Sequence, residues 1–538
     1  MNNPFDIPIT RRGVLGGMLA LGATALVAGC STPGGGGNGG GGAVGAPFGP
    51  TEAPSGTRKT GGRFRFAPQD MDAGIGMDPT SSVGSSWVFS MLMFNSLLGK
   101  NHDLSTNMQL VDVFEPEGND QGTWTIRVKE GIEFHSGKTL GADDVIYTIQ
   151  HILDPNNPGF ASGLMGSIDP NGLTKMDERT LRLKLNFPNS QLKQIFSEAA
   201  TSILPSDFDI NTNFGGTGPF KFQSYTPGQR LVTERNENYF KDVWLDEVEL
   251  IQYDDAGTAR FNALVSGQID GMNNVTPSLA GQLKGREDLQ MIVSESGAFE
   301  PWAMRSGPGD QFEDPNVRKA FKLIANRKLM VESALGGYGA VGNDIGAFAQ
   351  WDPGVDADLE REQDLDEAKS LLKAAGQENM EVSFRVGEVV PGQLAAAEIF
   401  VQEAKKVGVT VKIDKVSDLA QFYAGEDYYT SQMKNDYLFT QSMFSNGTYC
   451  WFKDTYFNNT SYYNPEFEDL FKKALSEPEE QGNKTMQEAS RLIFEDGPWM
   501  VWGRRNTVDG YSSKFTGAQQ DAAGNGFNGL KFDEISQV

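Results

Sequence analysis

The stretch TWTIRVKEGIEFHSGKTLGADDVIYTIQHILDP, residues 123–155, changes its periodicity twice without a break. Trp124, Ile126 and Val128 alternate with Thr125, Arg127 and Lys129, the period of two of a half-buried strand. Glu130-Gly131 reads as a turn, and a second short strand through Phe134 would complete a hairpin. From Val145 the period becomes helical. Val145, Ile146, Ile149, Ile152 and Leu153 share a face, Asp143 and Asp144 put negative charge in the first turn where the helix dipole favours it, and Asp154-Pro155 ends the helix.

Phe134-His135-Ser136-Gly137 followed by Ala142-Asp143-Asp144-Val145 resembles the signature segment of the family 5 extracytoplasmic solute-binding proteins, with Gly141 where that family usually has a capping Thr. Glycine at a helix N-cap costs only a few tenths of a kcal/mol relative to the usual caps. Further segments resemble the same family: Met77-Asp78-Pro79, Gly216-Thr217-Gly218-Pro219-Phe220, Arg235 to Phe240, Leu264 to Gly271, and Asp314 to Phe321 with Asn326-Arg327. The resemblance runs from about Gly61 to Arg505. It implies a two-lobe, periplasmic-binding-protein-like fold of type II in its large form, with a hinge between the lobes. Lobe I would span 61–300 and include an extra α/β subdomain, lobe II 301–500, and residues 501–538 would return to lobe I. The crossings are expected near Ser296 to Arg305 and near Pro498 to Arg505. Ala368, Leu371, Leu372 and Ala375, capped by Gly376, and the strand-like Val382 to Val386 agree with an α/β second lobe.

The amino-terminal residues read as an export signal. Arg11-Arg12 precedes a Gly/Ala/Leu-rich run from Val14 to Gly29, shorter than the roughly 20 residues of a permanent membrane span, and Val27-Ala28-Gly29-Cys30 resembles a lipoprotein box. The expectation is a signal peptide over 1–29 and acylation of Cys30. The paired arginines favour the twin-arginine route over the general secretory one. Residues 30–60, rich in Gly with scattered Pro, form an expected tether that would hold the globular part on the order of 30 Å from its anchor on the extracytoplasmic face.

The net charge is −25, and residues 1–29 contribute +1, so the remainder carries −26. Such a surface repels nucleic acid and anionic lipid headgroups, which leaves the lipid as the membrane attachment. With Cys30 acylated, Cys450 has no disulfide partner and reads as a buried inert thiol. The three histidines, His102, His135 and His151, offer little for a triad or a zinc site, and neither Gly-x-Ser-x-Gly nor His-Glu-x-x-His occurs. No cofactor or metal is expected.

The densest candidate for ligand contact is Tyr437 to Tyr463, whose aromatic residues are irregularly spaced and mixed with Asn446, Asn458 and Asn459. Rings and amides in that mixture suit a loop-built pocket. Trp302, Trp451, Asn446, Phe444, Tyr449 and Tyr437 are the expected ligand-binding residues, with the Trp tryptophans alternatively packing the hinge. By the resemblance, the loop Gln69 to Asp72 also touches ligand, so Gln69 and Asp70 join the set, and Trp87 joins it from the start of a helix, where core filling is the other reading. Peptide-binding relatives carry a Trp followed by an Asp near Thr440 to Gly447, and this chain has neither there. An amino group buried without a carboxylate costs several kcal/mol, so free peptides lose ground to oligosaccharides or other neutral solutes. The resulting expectation is the binding protein of an ATP-binding-cassette importer, monomeric and not an enzyme, with a peptide or an oligosaccharide as its small-molecule solute. A secreted hydrolase of the glycosidase kind is the reading of a different class.

Overall fold

The computed structural model describes residues 56–69, 77–81, 86–119, 121–156, 160–253, 257–423, 425–453, 455 and 458–538. The expected signal peptide, Cys30, most of the tether, Asp70, and Tyr456-Phe457 lie outside them. Gly56 to Thr60, expected in the tether, lie against the carboxyl terminus, where the Lys59 N–H donates to the Gln537 carbonyl at 3.0 Å.

Two main sheets organise the chain. The seven-stranded sheet is ordered 289–294, 507–512, 271–272, 63–67, 247–251, 230–235, 220–226. The six-stranded sheet is ordered 339–341, 499–505, 299–304, 433–435, 381–387, 410–416. A separate four-stranded antiparallel sheet, ordered 111–116, 123–128, 180–185, 168–175, forms a third unit. The chain passes between the two main sheets twice, at Glu295–Ala298 and at Asn506. This is the two-lobe α/β architecture.

The decisive stretch folds only partly as its periodicity suggests. The strand Thr123–Val128 buries Trp124, Ile126 and Val128, and the helix Ala142–Ile152 buries Val145, Ile149 and Ile152. Its amino end is tied by Asp144, whose Oδ2 accepts the Gly141 N–H at 2.9 Å, the half of a capping box that does not need the missing Thr hydroxyl. The expected hairpin does not form. Both edges of Thr123–Val128 are taken, by Val111–Pro116 and by Thr180–Leu185, and residues 132–140 instead make a tight loop closed by Phe134 N–H to the Lys138 carbonyl.

Gly216 and Gly218 are required by close approach, since a Cβ on either would come within 2.4 Å of backbone atoms of Met93. His135 fastens the same segment: its N–H donates to the Gly216 carbonyl at 2.9 Å, and its Nε2 meets the Gly218 carbonyl at 3.0 Å. Asp270, from the expected Ile-Asp pair, binds Arg65 in two-pronged fashion, Oδ2 to Nε and Oδ1 to Nη2, both at 2.8 Å. Asp314 caps the helix Pro315–Ile324 by accepting the Asn316 N–H at 2.8 Å.

The carboxyl-terminal segment covers the seven-stranded sheet. Phe64 meets Phe515 edge-on at 4.8 Å, and Phe66 packs on Phe527 and Phe532 at 5.3 and 5.1 Å. It is pinned electrostatically at His102, whose Nδ1 lies 2.9 Å from Asp521 and whose Nε2 lies 2.9 Å from Glu534, with Lys531 2.7 Å from Asp521. Burial alone would lower the His102 pKa, but the bonds to Asp521 and Glu534 outweigh it and raise it to about 9. A raised histidine pKa stabilises the fold fully below the unfolded value near 6.5, and this contribution fades as pH rises through about 9. His102→Gln should therefore lower the melting temperature by several degrees at pH 6.5 and by much less at pH 9.5. An equal loss at both values, measured by calorimetry, would contradict the charge-based pin.

Candidate functional site

Each main sheet contains a set of parallel strands, and the carboxyl ends of both sets lie at the crossings. In the first sheet Arg63–Ala67 runs parallel to Glu247–Ile251 and to Gly271–Met272, so the set ends at Gln69, Tyr253 and Asn273-Asn274. In the second, Glu381–Gly387 runs parallel to Thr410–Val416 and Met433–Asn435, and ends near Glu388 and at Asp436 to Phe439. The antiparallel strands bring the crossings to those edges: Ser294 pairs with Thr507, and Phe299 pairs with both Arg504 and Leu438. In open α/β sheets the crevice outside the carboxyl ends of the strands is where ligands bind, because loops there are free of ladder constraints.

On the first edge, the Gln69 N–H donates to Asn273 Oδ1 at 2.7 Å, and Asn273 Nδ2 donates to the Asn525 carbonyl at 3.2 Å. Arg260, fully buried beneath, holds the strand ends through the Ala67 and Asn273 carbonyls at 3.1 and 2.9 Å. Asn274, at φ +51°, donates its N–H to Asp509 Oδ1 at 2.9 Å, while Asp509 Oδ2 is buried without a partner. Burial, only partly offset by the backbone N–H groups of Asn274 and Phe527, raises the Asp509 pKa to about 7.

On the second edge, Asp436 is spent inside the lobe. Its Oδ1 accepts from Tyr423 OH at 3.0 Å and from the Tyr437 N–H at 2.8 Å, and its Oδ2 accepts from Tyr428 OH. Buried, with both oxygens already bonded, it is no ready counter-ion for an incoming amine, and burial raises its pKa. Tyr437 and Phe439 form an edge-on pair at 5.5 Å, and Phe439 is 51% exposed. Glu300, beside the first crossing, is buried against Arg505 at 2.6 Å, and Arg505 also reaches the Pro391 carbonyl.

The expected site residues divide. Gln69 and Tyr437 lie on the facing edges. Asp70 falls outside the described residues, as does the side chain of Trp87, whose backbone opens the helix Ser86–Met93. Trp302 does not line a cleft: it is fully buried inside the second lobe against Phe384, Phe400 and Trp502, at 4.8, 5.1 and 6.3 Å. Trp451 is likewise interior, between Phe467 at 5.7 Å and Trp499 at 5.3 Å. Phe444 stacks on Phe471 at 6.0 Å, and the buried Asn446 donates to the Ile345 carbonyl at 3.2 Å. Tyr449 packs toward Gly163 of the helix Phe160–Leu164. The irregular aromatic spacing that favoured a surface pocket has another cause: the short helix Met443–Asn446 runs into a π-helical turn, Gly447–Trp451, whose wider period breaks the 3.6 pattern while Phe444 and Trp451 still face the helix Pro465–Ser476.

The residues that periodicity did not single out are Asn273, Asn274, Gln441 and Arg504. Gln441 has a buried amide oxygen with no partner. For Arg504 a signal existed, since two consecutive arginines ending a strand at an expected lobe crossing put fixed positive charge beside the cleft.

The family model for the bacterial extracellular solute-binding proteins, family 5, matches residues 114–467, well over half of the chain. The chain belongs to that family. Curated relatives include di/tripeptide-binding protein 4 of Pseudomonas aeruginosa, 26% identical over 72% of this chain and 81% of that protein, and the glutathione-binding protein GsiB of Pectobacterium atrosepticum, 22% identical over 82% and 88%. Among solved structures, the binding protein AgaA of A. tumefaciens R10 with agropinic acid superposes with a TM-score of 0.75 at 21% identity, over 89% of this chain and 99% of that one. DppA of Helicobacter pylori with the peptide STSA gives 0.74 at 20%, over 89% and 98%. As a family 5 member, the chain is an extracytoplasmic solute-binding protein.

The interior placement of Trp302 has a measurable consequence. Trp302→Ala should cost about 3–5 kcal/mol of stability, as large-to-small changes in a packed aromatic core do, seen as a lower denaturant midpoint. A stability change below about 1 kcal/mol with a large loss of ligand affinity would return Trp302 to the binding site.

Proposed function

We propose that this protein is the substrate-binding lipoprotein of an ATP-binding-cassette importer, capturing a small solute between the two strand-end edges and delivering it to the permease. The observation that carries the reading is that the carboxyl-end edges of two parallel strand sets meet at one pair of crossings. The matched relatives that bind peptides and glutathione support it. Export by the twin-arginine route and anchoring through acylated Cys30 rest on Arg11-Arg12 and on the Val27-Ala28-Gly29-Cys30 box. The protein acts as a monomer and does not transform its ligand.

The solute is one without a free amine in the cleft. No Trp–Asp pair stands between Thr440 and Gly447, and the nearby Asp436 is already bound to Tyr423 and Tyr428. A blocked peptide or an oligosaccharide satisfies that condition, and the exposed Phe439 beside Tyr437 offers a ring face to either. Native mass spectrometry of the protein purified gently from its host should show a bound solute that is released chemically intact, with binding raising the melting temperature. Release of cleaved products would replace this reading with the hydrolase. With saturating solute the radius of gyration by small-angle scattering should fall as the lobes close; an unchanged radius in a saturated sample would contradict closure.

A further inference from the structure

Resting on the solute-binding reading, we infer that Arg504 is an anion-receiving residue at the crossing, so that the solute carries a carboxylate. A β-bulge shapes its position. In the pairing of Phe299–Met304 with Trp499–Arg505, Glu300 faces Gly503 and Pro301 faces Val501, so Trp502 is the extra residue. Past the bulge the faces exchange. Arg505 turns to the buried Glu300, and Arg504 turns to the other side, where its guanidinium lies over Phe348 at 5.3 Å and Trp351 at 5.1 Å.

Arg504 is poorly compensated. Nη1 donates to Gln350 Oε1 at 3.1 Å, and no carboxylate lies within ion-pair distance of the guanidinium among the described residues. Burial lowers its pKa, and Glu295 on the first crossing only partly offsets this. In a chain of net charge −25, where the buried or half-buried Arg65, Arg318, Arg327 and Arg361 each hold a carboxylate, Arg504 at the lobe junction is held by Gln350 and two rings instead. The two rings, 6.4 Å apart and at 83° to each other, flank the guanidinium, whose fork of donors suits a planar carboxylate. The surroundings place this beside the cleft. A Cβ on Gly297 would touch both Trp351 and Thr440, so the first crossing, the aromatic wall and the end of the second strand set converge there, next to Gln441 with its unpartnered buried amide oxygen.

The test uses the full chain with paired probes: N-acetyl-tetraalanine as free acid and as carboxamide, and digalacturonic acid against its neutral galactose disaccharide, by calorimetry and thermal shift. At least one acid should bind ten or more times more tightly than its neutral partner. Arg504→Gln should remove most of that preference, Arg504→Lys should keep part of it, and added salt should weaken the acid selectively. Equal binding of acid and neutral probes by the wild-type protein would overturn the inference while leaving the solute-binding reading standing, and so would a lowered melting temperature of Arg504→Gln with the preference intact. Should Arg504→Gln not fold, the wild-type comparison and Arg504→Lys decide alone. Failure of every probe to bind would overturn the inference and count against the solute-binding reading as well.

Discussion

The two chain crossings are hydrogen-bonded to each other, and the architecture depends on that pairing. The Arg505 N–H donates to the Ala298 carbonyl at 2.8 Å, and the Ser296 hydroxyl, buried, donates to the Arg505 carbonyl at 2.7 Å. Two covalent connections side by side leave the lobes one easy rotation and resist twisting. The carboxyl-terminal loop braces the same place: the Asp521 N–H donates to Ser294 Oγ at 3.1 Å, and Gly524, at φ +81°, lies where a Cβ would meet Ala298. From the second lobe, the Thr440 hydroxyl donates to the Ala522 carbonyl at 2.7 Å, a contact between the lobes. Farther out, the Ser190 N–H donates to the Leu475 carbonyl at 2.9 Å, which joins the four-stranded unit to the second lobe.

Rigidity within each lobe makes such a hinge useful. The second lobe buries Asp344 between Arg327 at 2.5 Å and Arg361 at 2.7 Å, with Lys322 bonded to the Phe494 carbonyl at 2.9 Å. Burial lowers the Lys322 pKa to about 7. Breaking one member of such a buried network leaves a charge uncompensated at a cost of about 3–5 kcal/mol, so the lobe moves as a body. The crossings, being short and held mainly by backbone bonds, are where motion costs least.

The family was legible in the sequence because its motifs sit where local chemistry is exacting. Asp144 at the helix start, Gly216 and Gly218 against the Met93 backbone, Asp270 on Arg65 and Asp314 at a helix cap each do something that few residue types can replace. The ligand-facing side chains were less legible. Trp302 lies on a strand that starts at the crossing, but four residues at about 3.3 Å each carry it about 13 Å into the lobe. Both faces of Phe299–Met304 are buried, so alternation alone could not say which way it points. The π-turn at Gly447–Trp451 and the bulge at Trp502 each shift a face by one residue, and neither has a period to be read. The first accompanies the inward placement of Trp451, and the second brought Arg504 to the junction.

Binding of solute between the two strand-end edges, at the hydrogen-bonded crossings, is open to direct measurement. Hydrogen–deuterium exchange with and without bound solute tests it most directly. Bound solute should bring new protection of backbone amides at Gln69, Asn273-Asn274 and Leu438 to Gln441, with the crossing at Glu295–Ala298 altered and the far strands 220–226 and 410–416 unchanged. Protection confined to the four-stranded sheet, or to the helices Pro465–Ser476 and Glu479–Asp496 around Trp451, would contradict it.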